Sequence, residues 1–316
     1  MALGEGPLRT MELTERVRGY TPRTVYRYSN KLTDAGVIER LEEPGVPSKV
    51  THSLAEPKGR ELYELVVAYA NASLTKLPDG TIDAHAWGSL AMLADLWESG
   101  LIEELNLGPK SSTELARLEH GLSYHQVNRR AGLFARGGFL REDVVPGNRR
   151  AYALTEQARR AMALIAGVGR WRRRHVVAEE ASGLTSREAA VVLQTTLPLV
   201  TLPEHGGKKL SLEILPANGD GATDPVWANI EADGRTRSCE GPLPEVDGRA
   251  QGKVAAFVDA VMDGPASGLR MDGDEDMVRA CFERLHSTLW KAWPAGSTAA
   301  PEGVAGGDDR PELSYD

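Results

Sequence analysis

At 316 residues the chain is long for one small domain and reads as two or three domains of ordinary size. An apolar fraction of 41% suffices for real cores, yet no run approaches the roughly 18 apolar residues of a membrane span. MALGEGPLRTMEL has no secretion signal, and two cysteines, Cys239 and Cys281, make no disulfide framework; a cytoplasmic protein is expected. The net charge of -8 hides a split. Residues 1–180 carry 25 Lys/Arg against 23 Asp/Glu, whereas residues 181–316 carry 12 against 22. The acidic excess therefore sits behind residue 180, so net charge does not exclude a nucleic-acid partner for the first half.

In chain order, MELTERVR (11–18) predicts a short helix. Thr21 and Pro22 then offer an N-cap and a first-turn proline for a second helix, which Gly36 stops. Val25, Tyr28, Leu32 and Ala35 fall at helical spacing and predict its buried stripe. The segment after Val37 reads as strand, a turn at Pro44–Pro47, strand, then a helix from near Pro57 to about Leu74. Lys76–Asp83 has the composition of a linker.

The pattern then runs a second time. A long apolar helix is expected over 84–105, followed by a short capped helix in SSTELARLEHG. SYHQVNRRAGLFARGGF predicts a third, ended by Gly137 and Gly138. A hairpin and a closing helix in EQARRAMALIAGVGRW complete the unit. Ala35-Gly36-Val37-Ile38-Glu39-Arg40 corresponds to Gly137-Gly138-Phe139-Leu140-Arg141-Glu142, and the segment from His52 to that around Tyr152 with a small offset. Repetition of a whole supersecondary unit is a stronger signal than any single motif. The first copy lacks a first helix, which another element (the 84–105 helix) or a partner chain must replace, unless the true start lies upstream.

Residues 170–175 (RWRRRH) form a basic run. Beyond a junction helix in 183–196 the texture changes. KKLSLEILP and DPVWANIEADG alternate as strands joined near Asp233-Gly234, and CEGPLPEVDGRAQG reads as irregular or edge strand. KVAAFVDAVMDG is an amphipathic helix, GLRMDGD a short strand and turn, and 275–293 a terminal helix. The tail 294–316 has a disordered composition. The expected domains are 1–80, 81–180 and 181–293, followed by that tail. The fold class is mainly α with α+β parts.

A helix-turn-helix reads DNA by laying its second helix in the major groove. The first unit offers Arg23, Thr24, Tyr26, Arg27, Asn30 and Lys31 on that helix, with Arg40 and Lys49 on the hairpin. The second offers Ser123, Tyr124, His125, Gln126, Asn128, Arg129 and Arg130, with Arg149 and Arg150 at its wing. Gln126 and Asn128 suit adenine, and the arginines guanine or phosphate. The second wing (PGNRR) is the more basic, whereas Glu39, Glu42 and Glu43 flank the first.

Several of these segments resemble the HxlR-type winged helix-turn-helix regulators, relatives of the MarR group. The matching residues are Gly6-Pro7-Leu8-Arg9 before Leu13, Thr21-Pro22-Arg23, Leu32 with Ala35-Gly36-Val37-Ile38, Pro44 to Lys49, Ser53-Leu54 and Gly59-Arg60-Glu61-Leu62. The resemblance covers about residues 6–75, and residues 85–165 resemble the fold more loosely, with Trp87 at the place of the first helix. It implies operator DNA as partner, usually bound by a dimer; one chain with two reading heads remains the other arrangement. Residues 208–292 resemble the sterol-carrier-type lipid-binding domain through Ala232 to Arg235, Gly252 to Gly264 and GLRMDGDEDMVRACFERL. That implies helices over a curved sheet enclosing an apolar cavity, an α/β sandwich-like domain. Trp227, Phe257, Val261, Met262, Met277, Phe282, Leu285, Leu289 and Trp290 are then candidates for core or for lining the site of an apolar or aromatic effector.

Catalysis is not expected. His85, His120, His125, His175, His205 and His286 are scattered, without HExxH, CxxC, GxSxG or a phosphate loop. Asp272-Gly273-Asp274-Glu275-Asp276 lacks the spacing of a calcium loop and reads as a turn and helix start. No metal or cofactor is expected. A rival reading keeps the cavity and drops DNA: a protein that sequesters a natural product, with its winged helices as scaffold.

Overall fold

The computed structural model describes residues 2–17, 21–42, 50–73, 93, 97, 100–117, 123–145, 149–176, 183–216, 224–239, 244–264 and 268–290. The predicted linker, the tail, Lys49 and most of the predicted 84–105 helix lie outside these residues.

The first unit runs from a 3-10 turn at Ala2–Glu5 through β1 (Leu8–Arg9), α1 (Thr10–Arg16), α2 (Pro22–Asp34), β2 (Ile38–Glu42) and β3 (Val50–Leu54) to α3 (Lys58–Ser73). Its strands form an antiparallel sheet of order β1-β3-β2. Helix α2 starts where Thr21 Oγ1 accepts from the Thr24 amide at 3.3 Å, with Pro22 giving up an amide that would be unpaired anyway. It stops at Gly36, whose φ of 65° turns the chain so that Val37 N–H reaches Leu32 O at 2.8 Å.

The predicted stripe of α2 is out of phase. Val25 and Ser29 are the buried positions, while Tyr28 and Leu32 face outward at 49% and 40% exposure. A small serine sits where the helix meets its neighbours closely, and the bulky residues a third of a turn away are left to solvent.

The described chain resumes in a helical element containing Leu93 and Trp97. Gly100, in the left-handed region at φ 69°, then caps α4 (Leu101–Leu105), so the expected single helix to residue 105 is broken there. After it come α5 (Ser112–Arg117), α6 (Tyr124–Arg136), the hairpin β4 (Leu140–Val145) and β5 (Arg149–Leu154), and α7 (Glu156–His175).

The hydrogen bonds of the first unit recur here 102 positions on. Gly6 N–H to Leu3 O (3.3 Å) becomes Gly108 to Leu105 (3.4 Å), both glycines having positive φ. Arg9 N–H to Glu12 carboxylate becomes Ser111 to Glu114, each at 2.7 Å. Val37 N–H to Leu32 O becomes Phe139 to Phe134. The bridge of Leu8 to His52 becomes Lys110 to Tyr152, an offset of 100 on the second strand because the second hairpin is two residues shorter.

A small core holds the first unit together: Leu3, Leu8, Leu13, Val25, Val37, Ile38 and, from α7 of the second, Trp171. The Trp171 indole N–H donates to Lys58 O at 2.8 Å, and the Lys58 ammonium lies over its ring. Among the described residues, Trp171 is what reaches this core from outside its unit. Gly167 lets α3 and α7 approach closely; a Cβ there would meet Leu65 at 2.6 Å. The basic run belongs to the last turns of α7 and clasps neighbours. Arg170 bonds Asp263 and Arg173 bonds Asp259, both at 2.8 Å, and His175 bonds Glu61 at 2.9 Å.

Behind α8 (Ser186–Thr196) stands a five-stranded sheet of order β10-β9-β6-β7-β8. Its strands are β6 (Lys209–Leu215), β7 (Asp224–Ile230), β8 (Thr236–Cys239), β9 (Gly248–Lys253) and β10 (Arg270–Gly273). Strand β9, expected to be irregular or an edge, pairs parallel with β6 and antiparallel with β10, so it is internal. Leu210, Leu212, Ile214, Val226, Ala228, Ile230 and Ala250 line one face, buried against α8, α9 (Val254–Asp263) and α10 (Glu275–Trp290).

Candidate nucleic-acid interface

On α2, Arg23, Tyr26, Arg27 and Lys31 are exposed, and Thr24 and Asn30 half-buried. Tyr28 stands among the cations, with the Arg27 guanidinium 5.2 Å and the Lys31 ammonium 6.0 Å from its ring centre. Arg40 is paired with Glu42 at 3.1 Å.

On α6, Ser123 caps the helix and Gln126 completes a capping box, its side-chain oxygen accepting from Ser123 N–H at 2.8 Å. Asn128 accepts from the Ser112 hydroxyl at 3.1 Å. The two amides singled out for adenine are therefore engaged within the protein. Tyr124 and His125 are exposed and meet edge to face at 5.7 Å. Arg129 is exposed and Arg130 half-buried. Arg150 is exposed on β5, 3.8 Å from Glu142; the side chain of Arg149 lies outside the described residues.

Helices α5 and α6 and strand β5 enclose an open groove of about 730 Å³. Ser111, Ser112, Tyr124, Asn128 and Tyr152 line it, and four arginines project into it: Arg117, Arg129, Arg136 and Arg150. Sequence reasoning missed Arg117 and Arg136. The signal for Arg136 was present, since it follows Arg129 by seven residues and so shares its helix face; Arg117 lies on another helix and had none.

Among the described residues, the proposed ligand-lining residues stand in a different setting. Phe257, Val261, Met262, Met277, Phe282, Leu285 and Leu289 are buried in one continuous core with the inner sheet face. Phe257 and Val261 border a void of about 10 Å³, and Met262 one of about 30 Å³, against the roughly 300 Å³ or more of a small-molecule pocket. Among the described residues they are packed as core. Trp227 is only half-buried and alternates with Val226 and Ala228, so it faces away from that core. The side chain of Trp290 lies outside the described residues. Cys281 is enclosed in the same core, where burial pushes its thiol up to about 12 and keeps it unreactive. Among the described residues no group of three His, Cys, Asp or Glu could hold a metal ion, and no helix is long and apolar enough to cross a membrane.

Residues 1–76 match the family model described as HxlR-like helix-turn-helix. Residues 1–76 form an HxlR-type winged helix-turn-helix domain. No curated protein and no solved structure matches the chain.

Within the HxlR-type domain, His52 is buried at the centre of the sheet, its Nε2 3.2 Å from Thr10 Oγ1 and its Nδ1 without a hydrogen bond. Burial, and then the nearby Arg40, lowers its pKa below the ordinary histidine value. Above about pH 6.5 folded and unfolded chains are both neutral at this position. As the pH falls below that, the unfolded chain takes up a proton that the folded pocket refuses, so stability declines until the folded pKa is passed. Replacement of His52 by tyrosine, which stands at the matching position 152, is expected to flatten this decline. Urea midpoints of both proteins between pH 7.5 and 5 check it; parallel slopes would clear His52 of the effect.

Proposed function

We propose that the chain is a DNA-binding transcriptional regulator, and that residues 101–175 form a second winged-helix unit behind the HxlR-type domain. The domain limits follow as about 1–80, 81–180 and 181–293. The observation that carries this reading is the recurrence of the first unit's turns, caps and strand bridge in the second, 102 positions on and 100 on the second strand. A recurring helix start, glycine stop and hairpin return place α6 on its unit as α2 is placed on the first. Both helices present cationic side chains outward, Arg23, Arg27 and Lys31 on one and Arg129 and Arg136 on the other, the arrangement that lets a helix enter a major groove.

The C-terminal sheet and helices fit the expectation of helices layered on a sheet, but the filled core supports neither an apolar effector nor sequestration of a natural product. The regulator reading therefore needs no ligand at that site.

The experiment is a binding titration of the full chain on DNA flanking its own gene and on unrelated DNA, over a range of salt. Affinity that falls steeply with salt and prefers the flanking sequence supports the proposal. Binding too weak to measure at low salt on both would end it.

A further inference from the structure

We propose that the two units have divided their work, and that the second groove alone holds the DNA backbone. This rests on the regulator reading and adds to it where phosphate binds. The 102-residue offset allows the two grooves to be compared wall by wall. Arg117 stands where the first unit has Glu15, and Arg136 where it has Asp34. Arg150, at the offset of 100 that holds on the second strand, stands where the first unit has Val50. Arg129 and Arg27 match, as do Glu114 and Glu12, while Arg9 stands opposite Ser111. The second groove thus carries four arginines and one carboxylate, and the matching first surface two arginines and three carboxylates.

The positions are open to solvent in both units. Arg117, Arg129 and Arg136 are exposed, and none forms an ion pair among the described residues. Glu15 and Asp34 are exposed and likewise form no ion pair among the described residues. Three arginines that form no ion pair among the described residues line one groove, and they draw a phosphate chain and release its counterions. Uncompensated carboxylates at two of the same places repel it. On α6, Arg129 and Arg136 flank Gly132, where a Cβ would meet only the Arg136 guanidinium, at 3.9 Å. The floor between them is open to a backbone; the first unit has Asn30 there.

The test exchanges the residues that differ. Arg117→Glu combined with Arg136→Asp gives the second groove the first unit's charges, and Arg27→Ala removes the shared arginine from the first. All three positions are exposed, and circular dichroism with a thermal melt verifies each fold. The exchanged protein should bind any DNA sequence at least about tenfold more weakly, with a salt slope flatter by about two, near one unit per lost phosphate contact. Arg27→Ala should weaken binding less than the exchange does and flatten the salt slope by less than about one. A loss on Arg27→Ala equal to that of the exchange, or an exchange without effect, overturns the division while DNA binding itself stands. An unaltered chain with no salt-dependent affinity instead overturns the regulator reading.

Discussion

Replacement of Trp171 by alanine is expected to cost about 3–5 kcal/mol of stability, the range for removing a large aromatic from a core. The side chain is 9% exposed and belongs to α7, yet it is packed among Leu3, Leu8, Leu13, Val25, Val37 and Ile38 of the HxlR-type domain. That cluster is small, so one indole is a large share of what it buries. The substitution removes the indole that, among the described residues, joins the two parts of the chain in that core. Trp171→Phe keeps most of the apolar contact and gives up the bond to Lys58 O, with an expected cost of about 1–2 kcal/mol. Urea unfolding followed by far-UV circular dichroism reads both, and an alanine variant within 1 kcal/mol of the original would show that the indole is dispensable.

Phenylalanine 134 and leucine 32 occupy matching positions, but their truncations are expected to differ several-fold. Phe134→Ala should cost about 3–5 kcal/mol and Leu32→Ala under about 1 kcal/mol. Phe134 is 1% exposed and shares a core with Leu101, Ile102 and Leu105 of α4, while Leu32 is 40% exposed. In the first unit the described element at the place of α4 is the short turn Ala2–Glu5, and Leu101 and Ile102 have no counterpart among the described residues. Equal losses in the two variants would mean that Leu32 is covered in solution by something beyond the described residues.

The helix starts and stops were legible because their markers are local. A threonine or serine cap, a glycine with positive φ and an apolar pair after it each act over a few residues, and their order survives in the text of the chain. The helix starts at Thr21 and Ser123 and the stops at Gly36 and Gly138 are of this kind. The buried face of α2 was misread for a related reason. Hydropathy favours Tyr28 and Leu32 over Ser29, but which face is buried depends on the neighbour that packs there. RWRRRH in isolation is only a basic run, and the positions of Asp259, Asp263 and Glu61 turn Arg170, Arg173 and His175 into clasps. For the candidate ligand-site residues periodicity marked what is buried, not whether the burial leaves a space.

By itself, the sequence determined the helix starts at Thr21 and Ser123, the stops at Gly36 and Gly138, the hairpins that follow them and the location of the acidic excess. These depend on backbone hydrogen bonds and composition within short stretches. The tertiary structure decided three further matters: that Trp171 enters the first unit's core, that the C-terminal core is filled, and that Arg117, Arg129, Arg136 and Arg150 share one groove. Each requires residues distant in the chain to meet, and meeting is fixed by packing rather than by spacing.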